Sequence, residues 1–440
     1  MNASDLLMER FLALHPKLID LSLGRLTRLL NALGNPHRRL PPVIHVAGTN
    51  GKGSTVAFMR SILEAADLNV HVYTSPHLVR FHERIRLGAV GGGKLVSEDL
   101  LVDAFERCEA ANNGEAITVF EMTTAAAFLL FSEHPADVLL LEVGLGGEFD
   151  ATNVIDTALA TVVTPVSMDH SEYLGDTLEL IAKAKAGIFK RGIPAVIAQQ
   201  EHAEAEAVLE RQAARAGANL IAFGQQFQVY EEDGRLIYQD EEGLLDLPLP
   251  RLPGKHQQSN AGTAIAALRA SGFSLLPVNA FEQGVAHASW PARLQNLRKG
   301  KLVDLIPQGA ELWLDGGHNP DGGKVLAAAM QDFHARHPRP LVMIVGMLAT
   351  KDSSAFLNAF SGLATEVIAV PIPSQKVARS PEEVATMANV AGLKASASDS
   401  FTDALKTIAA REWPVAPRIL MTGSLYLAGE ILAANGTPPD

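Results

Sequence analysis

Residues 43–55 read Val43-Ile44-His45-Val46-Ala47-Gly48-Thr49-Asn50-Gly51-Lys52-Gly53-Ser54-Thr55. A short apolar run ends at glycine, and residues 54–66 follow with helical spacing. Strand, Gly-rich loop and helix in that order form a phosphate cradle. Glycines let backbone N–H groups turn inward, and the helix N-terminus adds its positive dipole end. Lys52 is placed to reach a β/γ-phosphate. The loop departs from the usual P-loop pattern, which needs glycine at Val46 and a hydroxyl residue at Gly53. That hydroxyl ordinarily holds Mg²⁺, so Ser54 or another element has to supply it.

Outward from this loop the chain alternates strand-like and helix-like runs. Residues 70–73, 137–143 and 158–163 read as strands; 120–131, 177–189, 201–216 and 257–270 read as helices. The run DVLLLEV is apolar without alternation, which suits a parallel strand buried on both faces. Residues 225–250 alternate with period two around Asp233-Gly234, a hairpin signal. They predict a small antiparallel side sheet. A second series of strands (311–315, 341–345, 365–370, 418–421) surrounds a helix at 324–334. The pattern predicts an α/β fold with a mainly parallel sheet, followed by a smaller α/β domain. The boundary is placed near 290–300, giving domains 1–295 and 296–440.

The chain has 440 residues and a net charge of −12. Non-specific nucleic-acid binding is not expected, because a basic face is needed to displace phosphate counterions. The one cysteine, Cys108, excludes an internal disulfide and a cysteine-based metal site. The opening MNASDLLMERFLAL is broken by Asp5, Glu9 and Arg10 and fits neither a signal peptide nor a membrane span. A cytoplasmic monomer that binds no membrane is expected.

Further motifs follow in order. Thr74-Ser75-Pro76-His77-Leu78 leads into Phe81-His82-Glu83-Arg84-Ile85. Glu142 closes the buried strand before Gly144-Leu145-Gly146-Gly147, at the strand end where α/β folds bind ligands. Asp169-His170 follows another strand, and Lys185 sits in Ala-Lys-Ala-Gly-Ile. Gly254-Lys255-His256-Gln257-Gln258-Ser259-Asn260-Ala261, Trp290-Pro291-Ala292-Arg293-Leu294 and Asp315-Gly316-Gly317-His318-Asn319-Pro320 complete the set, with Lys351-Asp352 and residues 423–427 beyond. Read alone, each has a plain structural explanation: a turn, a capping residue, a solvated lysine.

Together, from about residue 15 to 435, these motifs resemble the Mur ligase superfamily, and within it the folylpolyglutamate synthase/dihydrofolate synthase family. The resemblance implies an N-terminal P-loop ATPase domain and a C-terminal Rossmann-like glutamate-ligase domain. It implies an ATP-dependent ligase that adds L-glutamate to dihydropteroate and to reduced folates through an acyl phosphate. Asn50, Gly51, Lys52, Gly53 and Ser54 would then cradle ATP, with Asn260, Arg293 and Asp315 as further nucleotide contacts. Two Mg²⁺ sites would use Ser75, Glu142, His170 and Lys185, the last as a carbamate. Lys52, Lys185 and His318 would serve catalysis. Thr118, Val119, Phe120 and Glu121, with Phe149, Asp150 and Ala151, resemble the family's pterin contacts. Three departures are visible: Glu148 for arginine, Ala184 for glutamate and Ala292 for glycine. The readings kept beside this one are a single-function synthase, another Mur-type amino-acid ligase, and a nucleotide-binding regulator without ligase activity. A dinucleotide-binding oxidoreductase is set aside, since no G-x-G-x-x-G follows a strand in the second half.

Overall fold

A computed structural model of the chain describes residues 3–15 and 19–440. The first two residues of the amino-terminal stretch quoted above lie outside it.

The first sheet has eight strands: β1 (Val43–Ala47), β2 (Val70–Tyr73), β3 (Ile85–Leu87), β4 (Lys94–Leu95), β5 (Val138–Glu142), β6 (Ala160–Val163), β7 (Pro194–Ile197) and β8 (Asn219–Ala222). Their order is β4-β3-β2-β5-β1-β6-β7-β8. From β2 to β8 all pairs are parallel; β3 and β4 continue one edge antiparallel. Every residue of β1, β2, β5 and β6 is buried. Helices cover both faces, so these strands need apolar side chains in both directions. After β1 the chain moves to one side, to β2; after β6 it moves to the other, to β7 and β8. The carboxyl ends of β1, β5 and β6 therefore border a topological switch point, where α/β sheets open a crevice for ligands. Register sets Glu142 beside Val46 and Val163 beside Ala47, so the loops after these three strands emerge together.

The side sheet is antiparallel and has three strands: β9 (Phe227–Glu232), β10 (Arg235–Asp240) and β11 (Gly243–Pro248). Asp233 and Gly234 take φ of 48° and 73°, the left-handed pair that a two-residue hairpin requires. Helices Lys52–Ala65, Lys255–Leu268 and Val278–His287 share one core with this sheet, on one face of the large sheet. Helix Val119–Glu133 packs on the other face with Glu98–Asn112.

The second domain's sheet has order β12-β13-β17-β14-β15-β16. Its strands are β12 (Gln295–Asn296), β13 (Glu311–Leu314), β14 (Leu341–Val345), β15 (Glu366–Ala369), β16 (Ala395–Ala397) and β17 (Arg418–Thr422). All pair parallel except β12 with β13. Two of these strands were not expected. β12 is only two residues long, and β16 is a half-exposed Ala-Ser-Ala with no apolar signal. β3, β4, β7 and β8 likewise went unread; they are short, and β7 begins at a proline. The helix expected over 177–189 stops at Ala186, where Gly187 caps it. Among the described residues, no helix is long and apolar enough to cross a membrane.

Candidate active site

The loop after β1 lies against the loop after β6. The Thr49 and Asn50 amides donate to the Pro165 carbonyl at 2.9 and 3.1 Å. Lys52 opens the helix Lys52–Ala65, and its Nζ donates to the carbonyls of Gly48 and Thr49 at 2.9 and 3.2 Å. Burial pulls its pKa down, and Glu142 and Asp169 partly restore it. The glycine at 53, where the usual P-loop pattern has a hydroxyl residue, has a packing cause. A Cβ there would lie 2.6 Å from Nε1 of Trp290. Ser54 and Thr55 are buried behind it.

Glu142 is buried at the end of β5. Burial pushes its carboxyl up to about 7, opposed by Lys52 and by the Ser75 amide, 3.4 Å from Oε2. Ser75 is half-buried, with its backbone amide facing the carboxylate. Lys185 lies on helix Leu178–Ala186 and is 4% exposed, with Nζ donating to the Gly48 carbonyl at 3.0 Å. Burial, then the charge of Lys52, holds it at about 7. His170 sits in the left-handed region with φ 53° and is exposed at the rim. With 41% of its side chain open to solvent, desolvation of the covered part of the ring and the nearby lysines lower its pKa, and Asp169 opposes them. Among the described residues no three His, Cys, Asp or Glu side chains gather into a metal site. The hydroxyl and the carboxylate suit Mg²⁺, which prefers oxygen ligands and keeps waters and phosphate oxygens in its shell; the imidazole is the less suited member of the set.

The second domain closes the opposite wall. Asp315 is buried; its two oxygens accept from the amides of Leu294 and Gly317, each at 2.7 Å. Arg293 is flanked by Ala292 and Leu294 at φ of 52° and 42°. This left-handed turn, at the position where the family pattern has glycine, carries Arg293 to the seam. Asn260 is buried and donates to Gln257 at 3.0 Å.

Four contacts at the seam were not foreseen. Asn319 donates to Oδ1 of Asn50 at 2.9 Å, and Asn50 returns a bond at 3.3 Å. Asp169 pairs with Lys351, and His318 Nε2 lies 3.5 Å from it. Burial alone would raise Asp169, but His318 and Lys351 hold it well below the usual carboxylate range. Trp290 packs on Gly53. The motifs holding these residues were visible; their partners lie far away in sequence.

The pterin-type residues divide. Thr118 and Glu121 form a reciprocal capping box at the start of Val119–Glu133, and Arg25 binds the same Glu121 oxygen at 3.1 Å. Asp150 is buried, accepting from Leu145, Thr152 N and Thr152 Oγ1 at 2.8, 3.0 and 2.6 Å. Ala151 is buried too. Val119 and Phe120 are half-buried, and Phe149 is exposed. Phe120 presses on Gly144 so closely that a Cβ there would lie 2.3 Å from its ring.

A cavity of about 260 Å³ at the switch point is lined by Asn50, Gly51, Lys52, Gly53, Ser54, Ser75, Glu142, His170, Lys185, Asn260, Arg293, Asp315 and His318. The expected nucleotide and metal residues thus converge on one space. Residues 118–121 and 149–151 do not line it; Phe120 reaches it only through Gly144.

Two family profiles match the chain: "Mur ligase middle domain" over residues 46–268 and "Dihydrofolate synthetase, C-terminal domain" over 301–434. The folylpolyglutamate synthase of Lacticaseibacillus casei is 36% identical over 420 residues, covering 92% of each chain. The chain belongs to the folylpolyglutamate synthase/dihydrofolate synthase family. The dihydrofolate synthase/folylpolyglutamate synthase of Escherichia coli K12 is 35% identical over 377 residues, 86% of this chain and 83% of that one. Among solved structures, E. coli FolC in complex with DHPP and ADP superposes with a TM-score of 0.86 at 32% identity, covering 98% of both chains. The bifunctional enzyme of Yersinia pestis complexed with AMPPNP and Mn superposes at 0.84 with 30% identity, covering 99% of both. Against the family pattern, Glu148 is exposed, and its backbone packs on Gly187.

Proposed function

We propose that this enzyme ligates L-glutamate to dihydropteroate and then to tetrahydrofolates, consuming ATP and releasing ADP and phosphate. The observation that carries it is the convergence of Lys52, Glu142, Lys185 and Arg293 on one cavity at the switch point, between the two domains. Its relatives of matching length carry both activities in their names.

A carboxylate is a poor acyl donor because its oxygen is a poor leaving group. One carboxylate oxygen of the folate-type substrate attacks the γ-phosphorus, and the bond to the β-bridging oxygen breaks as ADP departs. The glutamate amine then attacks the acyl carbon, phosphate leaves and the amine loses its proton. Lys52, from the phosphate loop, and Arg293, from the junction with the second domain, face the transferring group and offset its charge. Ser75, Glu142, His170 and Lys185 would hold two Mg²⁺, which supply further neutralisation of the phosphates. Asp315 and Asn260 form the nucleotide side, and the His318–Asp169–Lys351 cluster draws the second domain over it, keeping water from the acyl phosphate.

We infer that Lys185 carries a carbamate. A lysine near pKa 7 has a substantial share of free amine at neutral pH, and the free amine is the form that attacks CO₂. The N–C bond forms, one proton leaves, and the neutral amine beside Lys52 becomes an anion. Val119, Phe120 and Phe149 offer the apolar surface for a pterin ring. Residues 1–295 would bind ATP and pterin, and 296–440 the glutamate side, in a monomer of the cytoplasm.

The test is incubation with ATP, Mg²⁺ and L-glutamate, first with dihydropteroate and then with tetrahydrofolate, following products by mass. Both should gain glutamate. Product from only one substrate reduces the reading to a single-function synthase. Release of AMP and pyrophosphate overturns the mechanism.

A further inference from the structure

His45 is the one polar residue of β1 and is fully buried. Strand alternation puts it on the same face as Val43 and Ala47, where an apolar side chain would suit the core better. Its Nε2 lies 2.9 Å from Oγ1 of Thr152, 107 residues away in sequence, while its Nδ1 is buried without a hydrogen-bond partner. Burial, with the charge of Lys190, holds the ring at about 3, so it is neutral and carries one proton. The Thr152 hydroxyl donates to Oδ1 of Asp150 at 2.6 Å. Its proton is thereby spent, and the ring nitrogen that faces it has to be the donor. The proton sits on Nε2, and Nδ1 is left a bare acceptor. A buried acceptor without a partner is costly, so packing alone does not account for a histidine here. Asp150 caps the short helix Ala151–Val154 through Oδ1, which explains only part of its bonding. Its Oδ2 accepts from the Leu145 amide at 2.8 Å. Gly144, Leu145 and Gly146 line the switch-point cavity directly after Glu142. Phe120 presses on Gly144 from the side of helix Val119–Glu133, and a Cβ on Gly147 would lie 2.7 Å from the Lys185 carbonyl oxygen. This turn is the wall between the nucleotide cavity and the Phe120 side.

We propose that His45 is a positioning residue for this wall. Its Nε2–H orients the Thr152 hydroxyl on Asp150, and Asp150 holds the Gly144–Gly146 turn where the acceptor carboxylate meets the nucleotide. The proposal rests on the glutamate-ligase reading above. Each bond of the chain lies in an interior without water, so a lost donor is not replaced by solvent and the next group is free to turn. His45 touches neither substrate; it acts only through Thr152 and Asp150.

The experiment compares the full-length variants His45→Leu, His45→Gln, Thr152→Val and His45→Leu/Thr152→Val. Glutamine returns an N–H donor; leucine returns only bulk. In His45→Leu, kcat/KM for dihydropteroate should fall about tenfold, while Kd for AMPPNP, read by calorimetry, changes less than about twofold. The nucleotide is spared because the phosphate loop keeps its Pro165 contacts. His45→Gln should recover most of the loss. The double variant should fall no further than Thr152→Val alone, since His45 has no other route to the wall. Losses that multiply, equal losses for leucine and glutamine, or a parallel weakening of AMPPNP overturn the proposal and leave His45 as packing of β1. ¹⁵N NMR of the wild-type protein supplies a readout free of turnover. His45 should be neutral and protonated on Nε2 throughout about pH 5 to 8; a proton on Nδ1, or a charged ring, overturns the proposal. Wild-type protein that binds AMPPNP but ligates no glutamate refutes the ligase reading, and the NMR result then decides the hydrogen-bond chain by itself.

Discussion

Lys52 and Lys185 donate to one and the same carbonyl oxygen, that of Gly48, at 2.9 and 3.0 Å. Two cationic groups from different helices thus meet at the first residue of the phosphate loop. Burial lowers the pKa of both, and Lys52 is the leading charge that lowers Lys185 further. Converting Lys185 to an anion would turn this repulsion into attraction.

Lys185 is therefore expected to take up CO₂. ¹³C NMR of enzyme equilibrated with ¹³C-bicarbonate should show a carbamate resonance that disappears in Lys185→Ala. Activity of that variant should fall about 100-fold or more and be partly restored by a small added carboxylate such as acetate. A wild-type spectrum without the resonance would count against the carbamate.

Lys52→Ala should lower ligation about 100- to 1,000-fold, the usual loss when a charge facing the transferring group is removed. The fold should hold, because a buried cation is deleted and the loop keeps its Pro165 carbonyl contacts. ADP release and a circular dichroism melt check both halves; near-normal turnover would remove Lys52 from the phosphates.

Phe120→Ala tests the pterin side. The ring lies against Gly144 and 6.3 Å from the Tyr73 ring. If it also meets a pterin, KM for dihydropteroate should rise about fivefold with KM for ATP unchanged, in line with a lost aromatic contact of roughly 1 kcal/mol. Parallel changes in both constants would mark Phe120 as packing alone.

Ala292→Gly should change stability by less than about 1 kcal/mol, since relief of the side chain at φ 52° is offset by the loss of a fully buried methyl group. A thermal melt measures it. Any gain is bounded further by the extra freedom that glycine gives the unfolded chain.

Glu311 sets an acid limit on the second domain. Burial would raise its carboxyl, but Arg418, Trp313 and Arg339 outweigh this and hold it below its ordinary value. Arg418 donates at 2.7 Å and is itself buried. A depressed folded-state pKa means the contribution is present above the unfolded value of about 4.3 and is lost as pH falls through the folded one. Urea midpoints across pH 2 to 6 should fall more steeply for the wild type than for Glu311→Gln, the two converging at the acid end.

The sequence alone determined the local units. The loop 48–55 read as a phosphate cradle because a strand, glycines and a helix follow each other within one short stretch. DVLLLEV read as a buried parallel strand because both its faces are apolar, and Asp233-Gly234 read as a hairpin because few residue pairs accept that turn. Whole-length motif order pointed to the family before any coordinate did. Tertiary structure decided what adjacency in sequence cannot encode. Gly53 is glycine because Trp290, 237 residues later, occupies the space of its side chain. Thr118 and Glu121 spend their polar atoms on each other and on Arg25, a use invisible in the motif that contains them. Asp169, Lys351, Asn50 and Asn319 gain their meaning only from the seam between the domains. Local backbone preference acts over a few residues and can be read from them. Charge pairing and steric exclusion act through space, between residues that only the folded chain brings together.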